Sequence, residues 1–180
     1  MRKVVAYELL SLDGVAESPD SFIHDWDKGM DAHLAAVIAE QDAVVLGRAS
    51  YEEWARFWPT SDIEPFATFI NGVQKYVATS TPLTAGWSHA ERIEGDPAAF
   101  VEQLRGQPGG EIGVHASIAL TRSLLAAGVI DELKLVIAPS VAGSGRRLLD
   151  DLPATRLDLA ALESSPSGAL LVTYRVLPQD

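Results

Sequence analysis

The chain is 180 residues long, contains no cysteine and carries a formal net charge of −11. Its length suits one domain, spanning 1–180 and able to bury roughly 70% of its unfolded surface without a metal or disulfide staple. The missing cysteine excludes disulfides, thiolate zinc sites, iron–sulfur clusters and cysteine nucleophiles, and the acidic balance argues against nucleic acid and anionic membranes as partners.

In chain order, residues 4–12 read as a first strand, apolar apart from Glu8 and closed by the turn residues Ser11-Leu12-Asp13-Gly14. The start runs directly into this strand, and no apolar run approaches the ~20 residues of a membrane span, so a cytoplasmic protein is expected. Residues 15–27 form a loop of a length that often works as a lid, holding Phe22, Trp26 and several acids. Its aromatics either anchor it to the core or stack on a flat heterocycle. Residues 31–40 are helical by spacing, with Met30, Leu34, Val37 and Ile38 on one face and Asp27 as N-cap.

Residues 42–46 then make a short apolar strand suited to burial on both faces. Gly47 permits a tight turn, and Ser50 is expected to cap a helix carrying Glu52 and Glu53 in its first turn. Arg48 lies in that turn. Beside the free N–H groups and positive dipole end of a helix start, an arginine makes an anion seat suited to phosphate; the bland alternative is a side chain facing water. A short helix over 65–71, a strand over 74–78 ending in Thr79-Ser80-Thr81-Pro82, and a short strand over 90–93 follow. Asp96-Pro97 opens another helix, residues 112–115 a strand, and residues 116–127 a helix with Gly128 just past its end. After a strand at 133–138, residues 142–147 read as a flexible basic loop, and 155–163 with 169–176 as a closing antiparallel hairpin.

This order predicts an α/β fold of three layers, α/β/α, with a mostly parallel twisted sheet and an antiparallel C-terminal hairpin. Ligands of such sheets bind outside the carboxyl ends of the strands, here near Asp13, Gly47, Thr79 and His115. The four histidines, His24, His33, His89 and His115, lack metal-ligand spacing, and Tyr51 stands where a nucleophile elbow needs glycine, so no metal site and no hydrolase is expected.

The turn after the first strand, Gly47-Arg48-Ala49-Ser50-Tyr51-Glu52, Thr79-Ser80-Thr81-Pro82 and residues 124–133 followed by Gly143-Ser144-Gly145 carry a resemblance in their order and spacing. The chain resembles the dihydrofolate reductase-like family, specifically the reductase domain of riboflavin-biosynthesis deaminase-reductases. That resemblance implies an NADPH-dependent reductase passing hydride to a C=N or imine-type carbon of a small heterocycle, of pterin, folate or ribosylaminopyrimidine type. The alternative is a non-catalytic module of the same fold that binds a nucleotide or pterin. By resemblance, Gly47, Arg48, Ala49, Ser50 and Tyr51 hold the cofactor phosphates and Thr79 and Ser80 the adenosine ribose. His115, Ala116, Ser117, Ile118 and Leu120 serve the pyrophosphate or nicotinamide half. Leu12, Asp13, Trp26 and Met30 line the substrate pocket, although Asp13 also reads as a plain turn residue. Asp31 falls where folate reductases carry a single pocket carboxylate that assists protonation; the competing reading is dipole complementarity at a helix start.

Two departures matter. Ala116 stands where relatives have glycine, and without cysteine the zinc-dependent deaminase half of the pathway chemistry is excluded. Arg48 is the one cation expected near the cofactor, since none directly follows Thr79-Ser80. Apolar strands at 133–138 and 170–176 require cover from helices or a second chain, and the resemblance favours a homodimer.

Overall fold

The computed structural model describes residues 1–178. In chain order the elements are β1 (Val4–Leu10), α1 (Lys28–Ala39), β2 (Gln41–Gly47), α2 (Arg48–Phe57), α3 (Phe66–Gly72), β3 (Gln74–Ala78) and β4 (Ala90–Arg92). They continue with α4 (Pro97–Arg105), β5 (Glu111–His115), α5 (Ile118–Ala126), β6 (Glu132–Ile137), β7 (Leu157–Ser164) and β8 (Leu170–Val176). Eight strands form one sheet in the order β4-β3-β2-β5-β1-β6-β8-β7. The first six run parallel, β8 runs antiparallel to β6, and β7 runs antiparallel to β8.

Both faces of the sheet are covered, as the unbroken apolar strands require. Along β2, Ala43 and Val45 join a core with Val101 and Leu104 of α4 and Leu120 and Leu124 of α5. Val44 and Leu46 alternate into a second core with Met30 and Leu34 of α1, Tyr51 of α2 and Ile70 of α3. Helix starts follow the predicted caps: the Asp27 carboxylate accepts the N–H groups of Gly29 and Met30 at 2.8 and 3.0 Å, and that of Asp96 accepts the N–H of Ala99 at 2.8 Å. Among the described residues no helix is long and apolar enough to cross a membrane.

Of the two kinds of cover expected for β6 and β8, the chain supplies its own, with Leu133, Leu135, Val136, Leu171 and Val172 all buried. The exposed strand is β7, the outer edge, where every residue is solvent-accessible. Two expectations are corrected. Residues 142–147 are not a free loop. The Asp13 carboxylate accepts the N–H groups of Ala142 and Gly143, each at 2.9 Å, the Arg147 Nε donates to the Asp13 carbonyl, and Arg146 pairs with Glu17. The Ser11 hydroxyl, with the Ala142 and Gly143 N–H groups, holds the Asp13 carboxyl down at about 2. Finally, α5 begins at Ile118 rather than at Ala116, whose left-handed φ of 50° no helix accommodates.

Candidate functional site

In a parallel sheet each following helix starts at the carboxyl end of the strand before it, so α1, α2 and α5 all open along one edge. There, β2 and β5 are neighbours whose helices depart to opposite layers, α2 to one face and α5 to the other. The two turns are stitched together. The Gly47 N–H donates to Ser117 Oγ at 2.8 Å, Ser117 Oγ donates to Ser50 Oγ at 3.1 Å, and Ser50 Oγ donates to the Ala116 carbonyl at 2.9 Å. Ser50 is therefore no helix cap. Gly47 occupies the N-cap position without a side-chain bond, Ser50 lies inside α2, and Glu52 and Glu53 fall beyond the first turn.

Arg48 stands at the first position of α2, half-exposed, with its Nε on Glu52 Oε1 one turn along at 2.8 Å. A bound anion would compete with that carboxylate for the guanidinium. Of the other residues expected at the cofactor phosphates, Tyr51 is buried and donates to the Ala85 carbonyl at 2.6 Å, so its side chain braces a neighbouring segment. Ile118 and Leu120 are likewise buried, in the core beneath α5. What these turns present is backbone, Arg48 and the paired serines.

Ala116 carries a backbone conformation that suits glycine, because an L side chain in the left-handed region costs about 1–2 kcal/mol. Ala116→Gly relieves that strain while adding freedom to the unfolded chain, for a net stabilisation of about 0.5–1 kcal/mol. Urea denaturation of the two proteins checks it; an unchanged or lowered midpoint contradicts the strain.

Beside these turns, at the carboxyl ends of β3 and β4, lies an open cavity of about 540 Å³ lined by Thr79, Ser80, Arg92, Glu94, Gly95 and Pro97 among others. Arg92 reaches across it, its Nη1 to the Ser80 carbonyl at 3.4 Å and its Nη2 to Glu94 Oε1 at 2.5 Å. Sequence reading missed this cation. Arg92 sits twelve positions past Ser80, and only the parallel pairing of β3 with β4, Val77 opposite Arg92, brings the two together.

On the α1 side, Asp31 sits in the helix's first turn and accepts the Trp26 indole N–H at 2.6 Å. Trp26 is partly exposed, Met30 is buried behind it, and Phe22 is the aromatic that anchors the loop. Leu12 is two-thirds exposed, and the Asp13 carboxylate accepts the N–H groups of Ala142 and Gly143. His115 ends β5, but its imidazole turns into the α1–α3 layer among Tyr7, Phe66 and Phe69. There its Nε2 meets Gln41 Oε1 at 2.8 Å, and burial pushes it down to about 3, so it stays neutral. A Cβ at Gly113 would come within 2.2 Å of that Gln41 oxygen, so any side chain there would have to displace the Gln41 amide from His115. Opposite His115 in the sheet, Tyr7 is buried with a hydroxyl that has no hydrogen-bond partner. Burial, with the Asp31 charge adding to it, pushes that phenol above its usual range.

The model of the RibD C-terminal domain family matches residues 2–171. The chain is 24% identical over 183 residues to the protein YyaP of Bacillus subtilis (strain 168), covering 96% of this chain and 94% of that one. Among solved structures, a protein from Shewanella sp. PV-4 assigned to riboflavin biosynthesis superposes with a TM-score of 0.80 at 17% identity, over 98% of this chain and 99% of that one. A Thermotoga maritima diaminohydroxyphosphoribosylaminopyrimidine deaminase/5-amino-6-(5-phosphoribosylamino)uracil reductase superposes with a TM-score of 0.68 at 13% identity. The match takes in 98% of this chain but 57% of the Thermotoga protein.

Proposed function

The chain belongs to the RibD C-terminal domain family, and from that premise we propose that it is an NADPH-dependent pyrimidine reductase-like enzyme. Its substrate is a small amino-substituted heterocycle bearing a C=N or imine-type carbon, of the kind named for the Thermotoga reductase. The observation that carries this reading is the convergence, on one sheet edge, of two stitched helix starts and the neighbouring Arg92 cavity, with the Asp31 carboxylate at the start of a third helix.

The residues fit a phosphate-bearing dinucleotide. Free N–H groups at the starts of α2 and α5 favour a pyrophosphate, and the cavity beside Thr79 and Ser80 has room and hydroxyls for a ribose with Arg92 at its wall. When bound, NADPH supplies the hydride. The chain's own contribution is placement and protons. Arg92 holds a 2′-phosphate by exchanging its Glu94 partner, whose carboxylate is 81% exposed and turns into water at little cost. Asp31 gives a proton to the substrate nitrogen as its neighbouring carbon gains hydride, so that C=N becomes CH–NH. A homodimer belongs to the same proposal. An eight-residue edge strand with Leu159 and Leu162 half-exposed is a template for pairing with a second copy.

Calorimetric titration tests the cofactor. Arg92→Ala should weaken NADPH binding tenfold to a hundredfold, about 1.5–3 kcal/mol for a charge-assisted hydrogen bond, and leave NADH almost unaffected. A wild-type protein that binds neither dinucleotide overturns the reductase reading.

A further inference from the structure

Lys75 on β3 has no exposed surface, and among the described residues no carboxylate pairs with it. Its ammonium donates to the carbonyls of Ile70 and Val73 at the end of α3, each at 2.8 Å, and lies 4.6 Å from the centre of the Trp87 ring. That ring is its cover. Trp87 belongs to residues 79–89, which join β3 to β4 without a helix or strand of their own. The segment is held down where the Trp87 indole N–H donates to Asn71 Oδ1 at 2.8 Å and the Tyr51 hydroxyl of α2 donates to the Ala85 carbonyl at 2.6 Å. Thr84, Gly86 and Ser88, interleaved with these anchors, face solvent. A charge at position 75 is costly, because a methionine would fill the same space with nothing to desolvate. Its neighbours do little to share that charge. Val44 of β2 and Ala90 of β4 lie opposite Lys75 in the sheet, and α3 presents Ile70, Asn71 and Val73. The ionisable group nearest the cover is the Tyr51 phenol, engaged with Ala85, while His89 and Glu91 on the β4 side are exposed.

We infer that residues 79–89 are a strap poised to lift at neutral pH, and that the charge buried beneath Trp87 on Lys75 sets how often it does so. With the strap down, burial lowers the ammonium from 10.5 to about 8. With Trp87 lifted, water reaches Nζ and the ordinary value returns, so the lifted form holds the proton more tightly. Below about 8 the closed form carries the whole cost of the charge, between 8 and 10.5 closure gains about tenfold per pH unit, and above 10.5 the gain is complete. The indole face and the two carbonyls offset part of that cost and keep the closed form the populated one. The strap begins with Thr79 and Ser80 and returns to the sheet just before Arg92. The cavity these three residues line therefore lies at its base, and the wall moves with the strap whichever ligand the cavity takes.

Solvent exchange of the Trp87 indole hydrogen, followed by NMR, reads the lifting directly, since its bond to Asn71 must break first. Glu8→Gln serves as the parent chain, so that the Glu8 carboxyl, which also titrates at about 8, contributes nothing. At pH 7.5, after correction for intrinsic rates, the indole hydrogen should exchange at least about a hundredfold faster than the β1 amides of Val5 and Ala6, which open with the whole fold. Equal protection means that the segment comes away only on global unfolding and overturns the inference. From pH 8 to 10 the lifted fraction should fall about tenfold per unit in the parent and stay constant in Lys75→Met on the same background. A fraction that ignores pH in the parent, or falls equally in Lys75→Met, overturns the inference as well. The comparison at pH 7.5 needs no change at position 75, so it decides the matter even where Lys75→Met does not fold. No dinucleotide enters the measurement, and the NADPH titration judges the reductase reading separately.

Discussion

Asp31→Asn should lower turnover on the order of 10²–10⁴-fold, the usual worth of a general acid, while NADPH affinity hardly changes. The substitution preserves size, and its side-chain oxygen still accepts the Trp26 indole N–H now 2.6 Å from Asp31 Oδ1. What it removes is the transferable proton. Hydride arriving at a C=N carbon leaves charge on the nitrogen, and in the proposed role a carboxyl placed at the start of α1 would supply the proton that solvent otherwise brings. The assay is the loss of NADPH absorbance with aminopyrimidines, dihydrofolate and pterins as acceptors. Normal turnover by the variant reduces Asp31 to a helix-start residue and leaves protonation to water, with the protein contributing placement alone.

Glu8→Gln should stabilise the protein by on the order of 2–4 kcal/mol at pH 7.5 and do almost nothing near pH 4.5. Glu8 lies on central strand β1, 3% exposed, and its Oε1 accepts the Thr121 hydroxyl of α5 at 2.9 Å. Burial pushes its carboxyl from 4.5 up to about 8, a shift the Thr121 bond only partly offsets. The folded chain therefore keeps a proton that the unfolded chain has released. This group's stabilisation is complete below the unfolded value, declines by about 1.4 kcal/mol per pH unit above it, and is gone once pH passes the folded value near 8. Glutamine keeps the shape without titrating, so the difference between the two proteins isolates the linkage from every other ionising group. Urea unfolding from pH 5 to 8 measures it. Parallel stability curves over that range mean that Glu8 finds compensation for its charge in the fold.

Much of the fold was legible because local chemistry and global packing agree. Asp27 and Asp96 cap the helices they precede, and the apolar runs of β1, β2 and β6 became strands buried on both faces. Failures occurred where a side chain's partner lies far along the chain. Ser50 has the composition of a cap, yet its hydroxyl reaches a carbonyl 66 positions away, a competition that spacing rules do not represent. Arg92 looked remote from Thr79 and Ser80 because β4 pairs with β3 across a connection with no recognisable motif. Asp13 and the 142–147 segment each look like loop chemistry, and only the fold shows one carboxylate closing on the other's N–H groups.

The strand order has a consequence for how the molecule comes into being. β1 leaves the ribosome well before its two neighbours in the sheet, β5 and β6, which begin at residues 111 and 132. Val4, Val5 and Ala6, wholly buried in the finished protein, thus have no native strand to join until more than a hundred further residues have been made. Closing such long loops before any contact repays them makes assembly slow and leaves an apolar segment open to mispairing. The centre of the parallel part of the sheet is thus closed only after β2, β3 and β4 have been made, and a nascent chain that stops short of β6 lacks the strand that seals it.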